Sequence, residues 1–373
     1  MRMPDSNDVL SVVISGTDFQ KGVTVRLGIT PIVVIDSSST TIDGIIPKSM
    51  NAGTYNLIVT NPDGKSGRLE NAFTVFEPGS SHTITPALAT YGSDAQSDSI
   101  ENVQIIFLDM PDSVVYPVYI HIADPQVDSE AGPTNIEEDV INSGEVITTT
   151  FTVYGGDLAY TDPQARAAPP VGLSTGSPIT TTTFESTFVD DSDGANDNWF
   201  TFGPLMPDSQ AEHVGNRYVF RLNVEGQSGD DGNIYKVAFS RNADVRVNDA
   251  VPGGRIFAFS WYFKLGNPPG SRPKAYPYVG DVDMFTQHNC NLRDGGTIQI
   301  ITPEQTFYEN AVSTVTQVCQ DSTYLPVDEE KEANWAVSFE KINVSGTDTF
   351  VFWVKDNDTA LALFLRAGLN LPP

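Results

Sequence analysis

The chain has 373 residues and sets 21 Lys+Arg against 48 Asp+Glu, a formal net charge of −27. Nucleic-acid affinity rests on cationic side chains, so this balance excludes nucleic acid as a partner; four His and two Cys also leave little for an imidazole or thiolate metal centre. No stretch of 18 apolar residues is present, so no membrane span is expected.

The length suits two or three domains with ample cores. Thr, Ser, Gly, Pro, Val and aromatic residues are abundant, and long Ala/Leu/Glu/Lys runs are absent, which is an all-β composition. No apolar segment follows Met1-Arg2-Met3-Pro4, so no signal peptide is visible.

The first readable unit runs from Val12 to Val75. Thr54 to Val59 alternates polar and apolar residues, the period of a half-buried strand. Asn61-Pro62-Asp63-Gly64 is a tight turn: Pro fixes φ, Asp bonds its own backbone, and Gly accepts a positive φ. Ala72 to Val75 reads as the return strand of a β-hairpin. Together with Val12-Val13-Ile14-Ser15-Gly16-Thr17-Asp18-Phe19, these residues resemble the IPT/TIG family of immunoglobulin-like domains over about residues 1–78. The resemblance implies a small β-sandwich, serving as a spacer or stalk in extracellular bacterial chains and as a DNA contact in some transcription factors. The acidity discounts the DNA branch. The usual module has one more strand ahead of the Ser-Gly-Thr-Asp-Phe segment, whereas only polar residues 1–8 stand there. Either the module is a slightly short domain with a covered edge, or its open edge accepts a strand from another chain. The module, few Lys and many Thr and Asn together point outside the cell.

Residues 76–90 carry a Pro/Gly/Ser break, and 79–373 follow as a large antiparallel sandwich of jelly-roll type. Strands are expected at Val103–Leu108, Val118–Ile122 and Val146–Tyr154. The irregular stretch Asp157–Pro178 is a functional loop, a connector or a seam near 157–180. Tyr218–Val224 and Tyr235–Ser240 alternate cleanly about a long loop, Glu225–Ile234. Arg255–Phe263, aromatic on both faces, is placed as one central strand buried on both sides. Thr297–Ile301, Trp335–Phe339 and Thr349–Val354 complete the set. Leu361, Leu363 and Leu365, followed by Leu369, read either as a last strand docked in cis or as a donor strand for a neighbouring subunit.

Four acidic stretches are candidate Ca²⁺ sites, because hard cations take carboxylate, amide and carbonyl oxygens. The densest is Asp190, Asp191, Asp193, Asn196 and Asp197; its spacing departs from an EF-hand, with Ala195 at an expected ligand position. The second is Asp230, Asp231 and Asn233. Asp124–Asp128 and Asp281–Asp283 are weaker versions. Each is equally readable as a solvated acidic turn. Cys290 and Cys319, with 28 residues between them, read as a disulfide or as two buried thiols. Tyr276, Tyr278 and Trp199 are candidate sugar-stacking rings, the tyrosines on a surface loop at 267–278, or else they cap the core. No catalytic pattern is legible: His82, His121, His213 and His288 sit in no Ser/His/Asp arrangement, and no Gly-x-Ser-x-Gly, His-Glu-x-x-His or phosphate loop occurs.

The sequence therefore reads as a non-enzymatic extracellular structural or adhesive protein. It would be a bacterial surface or fibre subunit, self-associating through strand edges, with Ca²⁺-stiffened loops. The alternative reading is a carbohydrate-binding module with glycan partners.

Overall fold

The computed structural model describes residues 10–46, 53–75, 83–94, 102–124, 148–170, 175–185, 199–245, 247, 249–265, 274–290, 296–304, 306–310, 319–341 and 348–365. The chain is almost wholly β.

The N-terminal unit holds β1 (Leu10–Ser15), β2 (Thr24–Leu27), β3 (Thr30–Ser37), β4 (Thr41–Ile46), β5 (Gly53–Thr60) and β6 (Ser66–Val75). Their order is β1-β4-β3-β2-β5-β6. The path folds over its own core of Val25, Leu27, Ile32, Ile42 and Leu57, so β1 and β6 are its two edges. The two halves of the sequence pattern meet directly. The Asn61 Nδ2 donates to the Asp18 carbonyl at 2.9 Å, and its Oδ1 accepts from the Gln20 N–H at 3.0 Å. Gly16 lies under the Phe19 ring, where a Cβ would stand 2.4 Å from the ring tip. The Asn61–Gly64 turn closes as expected, with the Gly64 N–H on the Asn61 carbonyl at 2.9 Å and Gly64 at φ +85°. The return strand begins at Ser66, earlier than the alternation suggested, with an irregularity between Tyr55 and Leu57 absorbing the offset.

The large unit continues with β7 (Thr83–Ile84), β8 (Leu88–Tyr91), β9 (Val103–Pro111), β10 (Val118–Ala123), β11 (Thr148–Gly155), β12 (Ser177–Glu185) and β13 (Trp199–Leu205). Next come β14 (Glu212–Val214), β15 (Arg217–Ser228), β16 (Gly232–Ser240), β17 (Arg255–Ala258), β18 (Ser260–Leu265), β19 (Lys274–Val279) and β20 (Phe285–Cys290). The last are β21 (Gly296–Ile301), β22 (Thr306–Asn310), β23 (Cys319–Tyr324), β24 (Ala333–Asn334), β25 (Ala336–Lys341), β26 (Asp348–Asp356), β27 (Thr359–Ala360) and β28 (Leu363–Phe364). They form a 10-stranded sheet along β13-β10-β16-β8-β18-β26-β20-β23 and a 12-stranded sheet along β12-β11-β15-β9-β17-β28-β19-β25-β21-β22. The inward faces of both sheets share one core, including Ile106, Leu108, Phe151, Phe220, Val237, Trp261 and Phe352.

Two sequence expectations change here. Arg255–Phe263 is not one strand: β17 lies in the 12-stranded sheet and β18 in the 10-stranded one, with Phe259 at the crossing. The run is buried throughout because it passes through the core from sheet to sheet. Likewise, β11 and β12 pair directly, so the 12-stranded sheet runs unbroken past the irregular stretch between them. Part of that stretch covers the sheet's outer face. Tyr160 meets Phe107 edge-on at 5.3 Å, and Ala165 joins Phe107, Phe257 and Tyr276 in an outer apolar cluster. Buried Glu212 holds the cover, accepting from the Tyr160 N–H at 2.5 Å and the Thr161 N–H at 3.1 Å. Buried Arg221 donates to the Ala159 carbonyl at 2.9 Å and also to the Thr175 carbonyl. Burial pushes the Arg221 guanidinium below its usual range, and the nearby Tyr154, Asp162, Glu212 and Glu225 pull it back.

On the same outer face Asp109 is fully buried between two arginines. It accepts from Arg217 Nε at 2.7 Å and from Arg255 Nε at 2.7 Å, and further nitrogens of both guanidiniums also reach it. The three residues sit on neighbouring strands β15, β9 and β17. Removing one partner of a buried ion cluster leaves an uncompensated charge, so Asp109→Ala should cost about 3–5 kcal/mol. Urea unfolding of the full chain checks this; a loss under about 1 kcal/mol would contradict it.

Candidate functional site

The acidic candidates fare differently. Asp190, Asp191, Asp193, Asn196 and Asp197 lie outside the described residues. The long loop expected at 225–234 is a tight turn instead, because β15 runs to Ser228 and β16 resumes at Gly232. Asp231 and Asn233 are buried rather than solvated, at 4% and 2% exposure. The Asn233 Nδ2 donates to Asp124 Oδ2 at 3.0 Å, so residues of two separate candidate stretches meet. At Asp281–Asp283 a cation is already in place: the Lys331 ammonium stands 3.4 Å from Asp281, 3.6 Å from Asp283 and 3.3 Å from Asp328. Hydrogen bonding to Asp328 raises the Lys331 pKa. Among the described residues no group of three or more His, Cys, Asp or Glu converges on a metal position.

Cys290 and Cys319 form a disulfide across paired strands β20 and β23. Tyr276 is not on a surface loop; it lies in β19 with 7% exposure, packed in the outer cluster with Phe257 and Phe364. Tyr278 and Trp199 are half-buried. Trp199 opens β13 opposite Ala123, with its ring edge-on to His121 at 6.5 Å. Leu363 is fully buried in β28, which pairs with β17 and β19 of its own chain. Leu361 and Leu365 pack partly buried against the same core, so the donor-strand reading fails as far as Leu365; Leu369 lies outside the described residues.

One pair was invisible in the sequence. His288 Nδ1 stands 2.6 Å from Asp321 Oδ1, with the ring stacked on Trp353 at 5.0 Å. The partners are 33 residues apart, joined only by the β20–β23 register. Two residues along the strand from His288, Cys290 is consumed by the disulfide, so that thiol offers no nucleophile.

A concavity lies in the N-terminal unit. It is an apolar groove of about 460 Å³ running between the edges β1 and β6. Val12 and Ile14 wall one side, Ala72 and Phe73 the other, and Leu57 and Val59 lie between. Among the described residues no strand pairs with the outer side of β1 or β6. The β1 sequence Leu-Ser-Val-Val-Ile-Ser carries no charge and no Pro, the usual devices that blunt an edge. The unit also exposes apolar side chains of β1 and β3, with Val13 at 68%, Val33 at 60% and Ile35 at 62%. The unit is also tied to the large one. Arg68 donates to the Lys331 carbonyl at 3.1 Å, and Asn56 donates to the Glu332 carbonyl at 3.4 Å.

Residues 6–75 match the family model described as the IPT/TIG domain, as the residues themselves suggested. A comparison with curated proteins finds no match. Among solved structures, the chain is similar to SGBP-B of the Bacteroides ovatus mixed-linkage glucan utilization locus, a structure in complex with a mixed-linkage heptasaccharide. The identity is 10%, over 92% of this chain and 70% of that one, with a TM-score of 0.15, a likeness too loose to carry an argument. No helix among the described residues is long and apolar enough to cross a membrane.

The disulfide closes a loop between residues 29 apart. In the chain-entropy model its reduction should cost about 3–4 kcal/mol. Urea unfolding with and without a thiol reductant measures this, and equal midpoints would contradict it.

Proposed function

We propose that the chain is a non-enzymatic extracellular structural or adhesive protein, a bacterial surface or fibre subunit that associates with further copies of itself through β-strand edges. The groove between β1 and β6 carries the proposal. An extended segment laid there finds edges that no strand among the described residues pairs with, and an apolar floor beneath, the requirements of strand addition. The occupant proposed is a segment of a second copy. Exposed Val13 on β1, with Val33 and Ile35 two strands further in on β3, favours a protein partner. The disulfide fits an oxidising, extracellular setting. The non-enzymatic reading is supported by where the buried charges go: Asp109 and Glu212 are tied into the fold. Glu330 is too, accepting from Thr302 Oγ1 at 2.5 Å.

A glycan-binding reading rests on Trp199 and Tyr278, which keep part of their rings accessible. The burial of Tyr276 weakens it.

Val12→Lys tests the assembly reading by placing a charge in the groove wall. Light scattering should show wild-type mass rising with concentration and the variant staying monomeric, with both melting at similar temperatures. A wild-type protein that is monomeric at every concentration would overturn the reading and send the protein to a glycan array.

A further inference from the structure

One end of the large sandwich gathers an unusual set of groups. Strand β10 is antiparallel to both β13 and β16, so its last residue, Ala123, lies opposite Trp199, the first of β13, and Lys236, near the start of β16. Strands β8, β9, β11, β12 and β15 bring their near ends to the same place, since Gly232 pairs with Tyr91, Val103 with Glu225, and Thr148 with both Glu185 and Ser228. Four connections therefore begin and end here: 92–102, 124–147, 186–198 and 229–231. By sequence they hold a third of the chain's 48 Asp+Glu and none of its 21 Lys+Arg.

Inside this end, three buried polar side chains follow the last apolar ones. Tyr235 on β16 and Phe151 on β11 meet edge-on across the core at 5.2 Å. Asn233 and Thr149 are the next inward residues on those two strands, each one strand repeat of roughly 6–7 Å toward the acidic end. Asn233 is 2% exposed and Thr149 is fully buried, yet Asn233 Oδ1 and Thr149 Oγ1 have no hydrogen-bond partner among the described residues. Asp124, fully buried, is the next inward residue after Ile122 on β10 and bonds Asn233 through one oxygen. Asp231, 4% exposed, precedes Asn233 in the same alternation. Buried polar oxygens such as Asn233 Oδ1 and Thr149 Oγ1 are normally satisfied. A group that accepts lone pairs from a carboxylate, an amide oxygen and a hydroxyl together is a hard cation.

We infer that this end of the sandwich binds a divalent cation of the Ca²⁺ class. Its ligands are Asp124 and Asn233 Oδ1, with Thr149 Oγ1 and Asp231 completing the protein's share. The ion draws residues from three strands, and it offsets the repulsion among the acidic connections that start there.

The test is calorimetric titration of CaCl₂ into the full chain after chelator treatment, with thermal melting alongside. Thr149→Val keeps the side chain's shape and removes only the unpartnered hydroxyl; Asn233→Ala removes the amide. The wild type should bind Ca²⁺ and melt at a higher temperature with it. Both variants should fold without Ca²⁺ and lose about tenfold or more in affinity. Should Asn233→Ala fail to fold, Thr149→Val alone decides the matter. Two results would overturn the inference: no Ca²⁺ binding by the wild type, which leaves water as the occupant, or unchanged affinity in Thr149→Val, which puts any bound ion elsewhere on the acidic surface.

Discussion

The buried carboxylate of Asp109 sets much of the large domain's geometry. It accepts from two guanidiniums, Arg217 on β15 and Arg255 on β17, and so pins three adjacent strands of the 12-stranded sheet. Such a cluster is costly to desolvate and gains little net stability over an apolar replacement. What it supplies here is position. Arg217 also donates to the Gly253 carbonyl, which fixes the turn leading into β17. Arg255 lies over the Phe364 ring at 5.1 Å, so the cluster holds β28 against its own chain. Phe364 in turn packs tilted against Phe257 at 4.9 Å, within the outer cluster that the 156–170 stretch covers. The cis docking of the apolar C-terminal segment thus follows from a charge pair more than 100 residues away, which no reading of the leucines alone could supply.

The sequence was most legible where local chemistry decides structure. The Asn61–Gly64 turn and the period-2 strands each follow from a few adjacent residues, and each stands as expected. Legibility failed where a decision is made across the core. Arg255–Phe263 has the composition of a strand buried on both faces, and it is buried on both faces. Nothing local reveals that it changes sheets at Phe259. Tyr276 sits after a Pro- and Gly-rich run that reads as a surface loop, but pairing with β25 and β28 makes it a strand residue. Lys331 was unremarkable in sequence, and only the fold carries it to Asp281 and Asp283. The acidic candidates were divided by sequence position, so that Asp124 and Asn233, which bond each other, were assigned to different loops.

The two units manage their exposed ends in different ways. The large sandwich covers its outer faces with aromatic clusters and its own irregular segments. The N-terminal unit leaves two strand edges facing each other across an apolar groove, with exposed apolar side chains on β1 and β3. The net charge of the whole chain, −27, opposes close approach of copies, whereas an edge-to-edge strand contact is held by backbone hydrogen bonds and apolar burial. Self-association and charge are therefore coupled, and assembly is expected to strengthen as ionic strength screens the acids.

Amide hydrogen exchange in β1 and β6, followed as a function of protein concentration, tests the strand-accepting edge most directly. The account predicts protection in both strands that grows with concentration while the core strand β9 stays unchanged. Exchange in β1 and β6 that is the same at every concentration would contradict it, whether the edges are open throughout or already covered within one chain.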